Sequence, residues 1–448
     1  MKSRLSRKIV STIMVVALLF TSFNVLTFAA NTKETLEVNT AKAVSAQFQE
    51  NNEQATILYS DLIKSFKEGR ASASTRSITL SNEQSGYTVN GLSANDYPDS
   101  YAGAYVNTQG HLVVLLSNTS SVSKSTFSEQ TIATLSEADN VFYGQAQYSY
   151  SDLIDVMTLL LDYARESGNF ITNNYYFTGF AIDDYQNRVV VFLNSLDSDA
   201  IKAFRSNISS SDIIIFEEEP SYAVNTAITT YGEDITYKLD GVSLGWCSIG
   251  PRATYQSADS GMVRGFLTCG HAFYDYDSSD TIKAYHSGLN YGTLDWDYYS
   301  YDNYASLDVA FIELRSSYDI NGTVEVAADD SSYYINNSRW MDAPRGSTVY
   351  MYGAGSASED LGMNSGIVTH SSYTVMGSDG IYLTDQVKAN YSVVRGDSGT
   401  IIFTESSGDY IPCGVQSRGY FSEGEAIGYE GLFSKLSNVT EEFDLYPR

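Results

Sequence analysis

Arg395-Gly396-Asp397-Ser398-Gly399-Thr400-Ile-Ile-Phe-Thr404 decides how the second half of the chain is read. A serine stands in a glycine-flanked turn, and a short β-type run follows it at once. Working outward, further short runs of the same kind are Gly265–Thr268, Leu307–Leu314, Thr348–Tyr352, Ser365–His370, Gly380–Leu383 and Ile411–Ser417, separated by Gly, Asn and Ser turns. Helical periodicity stops near Tyr231. Many short strands over roughly 220 residues predict an all-β barrel or double β-barrel for residues 231–448.

The first half has a different grammar. Residues 1–30 carry Lys2, Arg4, Arg7 and Lys8, then an apolar core led by Ile13–Leu19, then Ala29-Ala30, which has the shape of a secretory signal. Residues 31–77 are polar with helical spacing at Val44, Phe48, Ala55, Leu58, Leu62 and Phe66, closing in a linker over Arg70–Ser77. Residues 78–222 contain an internal echo. Tyr101–Ser117 reads as strand, turn and strand, and Phe177–Asn194 repeats the plan. Helical runs follow at Ser125–Leu135 and Ser198–Ile208, Asp152–Arg165 is an amphipathic helix, and Asp212–Glu218 is a strand. Two small α+β units are expected here.

Composition limits the partners. The chain has 448 residues, 43% of them hydrophobic and 18% charged, an ordinary core-forming balance. Lys and Arg number 27 against 54 Asp and Glu, a formal charge of −27, which opposes nucleic acid and anionic membrane as partners. A secreted, extracellular monomer is expected, free of the membrane once the signal is removed. No cofactor is expected. The acidic clusters Asp275-x-Asp277-x-x-Asp280 and Asp295-x-Asp297 lack the glycine and terminal glutamate of an EF-hand loop, so no metal is expected either.

Three strings carry chemistry: Leu267-Thr-Cys-Gly-His271-Ala, Ser306-Leu-Asp308-Val-Ala-Phe-Ile and the Ser398 turn. A serine hydroxyl is a weak attacker at neutral pH. It needs a base in hydrogen-bond reach, a group that orients the base, and donors for the developing oxyanion. His, Asp and Ser at strand ends, in that chain order, can supply all of these.

The strings resemble the His, Asp and Ser motifs of chymotrypsin-fold serine proteases, and most closely those of the streptogrisin and alpha-lytic protease group. Cys247-Ser-Ile-Gly250 with Gly265–His271, Gly346 through Gly353 to Gly366-Ile-Val368, and Gly414-Val-Gln-Ser417-Arg-Gly419 resemble that group's domain in turn. The hairpin units, above all Tyr101–Leu116 and Gln147–Leu160, resemble its pro-region. The resemblance implies a trypsin-like double barrel behind an α+β pro-region. It also implies a secreted serine endopeptidase made as a zymogen, acting on polypeptides through an acyl-enzyme. His271 would be the base, Asp308 its orienting group and Ser398 the nucleophile, with the N–H groups of Gly396 and Ser398 as the oxyanion hole. The chain's own pro-region would be its intramolecular partner, assisting folding and blocking the cleft, with release by cleavage between about 218 and 235.

By the same alignment Ser392 lies at the pocket base, Ser417 and Gly419 on its wall, and Arg395 and Arg418 near its mouth. With no acidic residue at the base, medium apolar or acidic side chains are the expected substrates. Departures from the group are Thr400 after the nucleophile turn, Ala272 after the histidine, and Met351 where the group has an arginine. That arginine pairs with the aspartate before the nucleophile, so Arg345 and Arg264 are the candidates to serve Asp397 here. A shifted Cys247–Cys269 disulfide is expected, leaving Cys413 over. Two other readings remain open: a catalytically silent binding protein on the same fold, and a serine hydrolase restricted to self-cleavage.

Overall fold

A computed structural model of the chain describes residues 46–74, 86–117, 140–219, 222–225, 235–257, 261–273, 276, 280–286, 288–299, 304–315, 323–328, 331–359, 361–406, 408–422 and 424–447. The expected signal, residues 31–45, the helical run Ser125–Leu135 and the residues Asp275 and Asp277 lie outside them.

Helix α1 (Ala46–Ser74) runs through the start of the expected linker. No proline interrupts that run, and alanine favours helix. α1 buries Ala55, Leu58, Leu62 and Phe66 in one core with strands β1 (Tyr101–Val106) and β2 (Leu112–Ser117). β2 then pairs in parallel with β3 (Val141–Ala146). Helix α2 (Tyr150–Ser167) starts at a capping box, in which Ser149 Oγ accepts the Asp152 N–H and the Asp152 carboxylate accepts the Ser149 N–H. The plan then repeats. β4 (Phe177–Asp183) and β5 (Arg188–Leu193) form an antiparallel pair, α3 (Ser198–Asn207) follows, and β6 (Ile214–Glu218) joins β5 in parallel.

The second half is built around two sets of six strands that share one order; in the first sheet two further strands, Val242–Cys247 and Tyr446–Pro447, add at the edges. The first comprises β7 (Ile235–Leu239), β8 (Arg252–Ser257), β9 (Gly261–Thr268), β10 (Ile282–His286), β11 (Leu289–Tyr298) and β12 (Val309–Leu314), hydrogen-bonded in the order β8-β9-β12-β11-β10-β7. The second comprises β13 (Thr348–Met351), β14 (Asn364–Met376), β15 (Tyr382–Ala389), β16 (Ile401–Ser406), β17 (Asp409–Tyr420) and β18 (Glu430–Lys435), in the order β14-β15-β18-β17-β16-β13. Both follow the order second, third, sixth, fifth, fourth, first. Pairing of β13 with residues 364–367 of β14 closes the second group into a barrel, and the far end of β14 runs on past β13 with an edge that the barrel itself leaves open.

The two halves are joined edge to edge. β4 pairs antiparallel with β14, setting Gly179, Phe180 and Ala181 against Val375, Thr374 and Tyr373. The β4–β5 sheet is therefore covered on both faces. Phe180, Ile182, Val189, Val191 and Leu193 pack under α1 and α2, whereas Ala181, Val190 and Phe192 pack against Tyr373, Leu383, Tyr420 and Leu432 of the barrel. At about 1.5–3 kcal/mol for each large apolar side chain buried, this second face is a substantial clamp. Gly179 permits it, because a Cβ there would stand 2.5 Å from the Thr374 carbonyl oxygen. The variant Gly179→Val is expected to open the seam alone. Hydrogen exchange should speed up at residues 179–181 and 373–375 while the barrel core stays protected.

Candidate active site

His271, Asp308 and Ser398 all stand at strand ends. β9 ends at Thr268 and the chain turns to His271, Asp308 immediately precedes β12, and Ser398 lies between the short strand Val393–Val394 and β16. The structure brings the three to the junction of the two barrels. Asp308 Oδ1 accepts the backbone N–H of His271 at 2.8 Å, and its Oδ2 lies 2.6 Å from His271 Nδ1. From the second barrel, Ser417 Oγ also donates to Oδ2, and Ser434 Oγ accepts the Asp308 N–H at 2.9 Å. Asp308 is wholly buried. Burial alone pushes its carboxyl up; His271, the Ser417 hydroxyl and the Arg418 guanidinium outweigh that, so it is held below the ordinary carboxylate range.

Ser398 is also fully buried in the intact chain, and its Oγ donates to the Ser417 carbonyl oxygen at 3.2 Å. Ser417 thus touches both Asp308 and Ser398. His271 Nε2 is buried without a hydrogen-bond partner, and Tyr299 stands edge-on to the ring at 5.9 Å. The turn needs its glycines. Gly396 has φ +104° and a Cβ there would fall 2.1 Å from the Trp246 ring; Gly399 has φ +86° and a Cβ would fall 2.2 Å from Thr268 Oγ1. Ser248 ties the turn down, donating its N–H to the Ser398 carbonyl at 2.8 Å and its hydroxyl to the Gly396 carbonyl at 2.9 Å. Its oxygen also accepts the Ala354 N–H at 2.8 Å.

Among the described residues no arginine pairs with Asp397. Arg345 is paired with Asp183 of the N-terminal half, Arg264 lies exposed on β9, and Met351 is buried in the barrel core. In place of a cation, Asp397 accepts the Ser356 N–H at 2.7 Å, the Ser356 hydroxyl at 2.8 Å and the Val394 N–H at 2.7 Å. Burial still prevails and pushes its carboxyl up to about 6. Thr400 fits in the turn, its N–H bonded to the Asp397 carbonyl at 3.0 Å and its hydroxyl to the Tyr352 carbonyl at 3.1 Å.

The expected disulfide is absent: Cys247, Cys269 and Cys413 are all free, buried thiols. The Cys247 thiol hydrogen-bonds with those of its surroundings instead, to Thr268 Oγ1 at 3.3 Å and to the Cys269 side chain. Both sulfurs sit in an apolar cluster with Tyr237, Phe266 and Phe273, where they act as small core side chains.

The expected pocket residues divide. Ser392 is half-buried and Arg395 is exposed, its guanidinium 5.6 Å from the centre of the Phe421 ring. Arg418 does not stand at a mouth. It is completely buried, 3.2 Å from Asp379 Oδ1, donating to the Ile381 carbonyl at 3.1 Å and to the Tyr299 hydroxyl. A buried guanidinium holds its place only with such partners. On β17, the backbone of the short strand Val224–Asn225 pairs antiparallel with Gly419 and Arg418. Ser248, Ser356 and Ser434 carry no signal in the sequence, since a single serine in a strand-and-turn region looks like any other.

Two outcomes are expected from this geometry. Ser356→Ala removes a hydroxyl donor from a buried carboxylate and should cost about 2 kcal/mol in urea unfolding. Thiol titration should find no reactive group in the native chain and three after unfolding without reductant; one thiol would restore the disulfide.

Residues 43–146 match the family model of the Pro-like N-terminal domain, and residues 151–219 that of the Pro-like C-terminal domain. No curated protein matches the sequence. Among solved structures, Thermobifida fusca Protease A is similar at 20% identity over 48% of this chain and 96% of its own, with a TM-score of 0.35. A Nocardiopsis protease is similar at 22% identity over 48% and 96%, TM-score 0.36. A chymotrypsin of Cellulomonas bogoriensis is similar at 20% identity over 49% and 99%, TM-score 0.34. The chain is thus identified by its Pro-like N- and C-terminal domains, set ahead of an all-β domain of two six-stranded groups with one strand order.

Proposed function

We propose that the chain is a secreted serine endopeptidase made as a zymogen, with residues 271, 308 and 398 as its catalytic triad. The observation that carries this is the Asp308 carboxylate, which fixes both the backbone and the Nδ1 edge of His271 while Ser417 links it to Ser398. A histidine held by Nδ1 presents Nε2 as its base.

In this reading Ser398 Oγ turns from the Ser417 carbonyl to His271 Nε2, gives it the proton and attacks the carbonyl carbon of a peptide. The oxyanion forms against the N–H groups of Gly396 and Ser398, in a turn that Ser248 ties down through the Gly396 and Ser398 carbonyls. The imidazolium, stabilised by Asp308, returns the proton to the departing amine. Water then enters by the reverse steps, and the acid product leaves Ser398 free.

The Pro-like half would act as the inhibitor. Val224–Asn225 takes the place of a substrate strand by adding to the Arg418–Gly419 backbone, a mode that needs no particular side chains. Its seam with β14 would also bring a pre-folded edge to a barrel whose strand pairings are distant in sequence and slow to form. Cutting would fall between Asn225 in the cleft and Ile235 at the start of the first barrel.

Full-length protein left to mature should hydrolyse peptide substrates and yield a new N-terminus between residues 226 and 235, read by Edman sequencing. Asp308→Asn should lower kcat by about ten-thousand-fold, the size expected when a triad carboxylate is made neutral. Hydrolysis that persists in Ser398→Ala would refute the assignment.

A further inference from the structure

One ion-pair cluster lies outside the proposed triad and is built from both halves. Four neighbouring strands of the closed barrel each contribute one side chain: Tyr373 from β14, Lys388 from β15, Glu430 from β18 and Tyr420 from β17. Into them projects the carboxylate of Glu219, the last residue of the Pro-like C-terminal domain, with the Glu217 carboxylate close enough to feel the Lys388 charge.

Every donor present is aimed at the Glu219 carboxylate. Lys388 Nζ lies 2.7 Å from Glu219 Oε1 and 3.1 Å from Glu430 Oε2. Tyr373 donates to Glu219 Oε2 at 2.6 Å, Tyr420 donates to the same oxygen at 3.1 Å, and the two phenol oxygens are 2.9 Å apart. Lys388 is held over the Tyr420 ring at 4.4 Å and the Tyr373 ring at 5.0 Å. Lys388, Tyr373 and Tyr420 are all buried. Burial keeps both phenols well above their ordinary pKa, so they remain donors.

The hydrogen-bond donors are therefore fixed by barrel strands, while the other half supplies the carboxylate and the Phe192 ring, whose centre lies 5.1 Å from Lys388 Nζ. Withdrawing Glu219 leaves Lys388 with one carboxylate where it had two, and takes the carboxylate acceptor from both phenols. Two phenol hydroxyls and an ammonium converging on one point bind a carboxylate through charge-assisted hydrogen bonds, so the vacated site favours a replacement carboxylate. The site also adjoins the substrate wall, since Tyr420 follows Arg418 and Gly419, the residues that pair with Val224–Asn225.

We propose that Tyr373, Lys388 and Tyr420 form a carboxylate-binding site on the second barrel. Glu219 fills it in the intact chain, and cutting behind Glu219 opens it to an acidic side chain of a bound peptide. The cut itself rests on the protease reading; the receptor does not.

The test uses the full chain with Ser398→Ala throughout, so that no self-cutting intervenes and failure of the receptor is distinguishable from failure of the protease reading. Glu219→Ala empties the space of an acetate ion, and sodium acetate is the probe against sodium chloride at equal ionic strength. Acetate at ten times its dissociation constant should raise the folded-to-unfolded ratio of Glu219→Ala about 11-fold. The response should saturate, and it should vanish in Glu219→Ala/Lys388→Met and in the chain that keeps Glu219. If Glu219→Ala folds only in acetate, that is the same result in stronger form. A folded Glu219→Ala chain with no saturable response overturns the proposal. So does one that acetate cannot rescue while the isosteric Glu219→Gln folds.

Discussion

The Asp308 carboxylate is the point at which the two barrels and the His271 ring are fixed together. It has no solvent, so every lone pair must be met from the protein, and the donors come from both sides of the barrel junction. His271 offers its backbone N–H and ring from the first barrel, and Ser417 offers its hydroxyl from the second. Ser434 of the second barrel takes the N–H of Asp308 itself. A shift of one barrel against the other would leave a buried charge short of donors. The same constraint carries to Ser398, whose hydroxyl is bonded to the carbonyl of Ser417.

A second constraint is the two-faced sheet of the N-terminal half. β4 and β5 alternate between two cores, so neither face is available to water. That makes this half a layer sandwiched between its own helices and the barrel. Polar contacts along the seam follow the same logic: Arg345 meets Asp183, Ser371 donates to Asp184 at 2.8 Å, and Lys435 bridges Asp385 and Asn90 at 2.7 Å each. From this platform the chain runs past Glu219 to Val224–Asn225 on the Arg418–Gly419 wall.

Much of this was legible in the sequence. The repeated hairpins at Tyr101–Ser117 and Phe177–Asn194 give two units of one plan, each with a third strand parallel to the second. Val189-Val-Val-Phe-Leu193 is apolar at both parities, the pattern of a strand covered on both faces. The short strands of the second half and the strand-end positions of His271, Asp308 and Ser398 could be read from turn residues and β-type runs. What could not be read depends on contacts across long separations. Ser356 replaces an arginine at Asp397 through one hydroxyl and one N–H, and no local pattern marks it. Arg418 next to two wall residues looked like a mouth residue; Asp379 and Tyr299 draw it inside. Cys247 and Cys269 meet in the core, yet proximity in a strand plan does not decide between a bond and two thiols.

The most direct test of a serine site held latent by its own N-terminal half is the rate of fluorophosphonate labelling at Ser398, followed from refolding through maturation and located by mass spectrometry. Slow labelling of the uncut chain, rising sharply once the chain is cut between residues 225 and 235 and the halves are separated, is the predicted course. Equal labelling of cut and uncut protein would contradict the latency, and a folded, separated second half that takes no label at Ser398 would contradict the nucleophile itself.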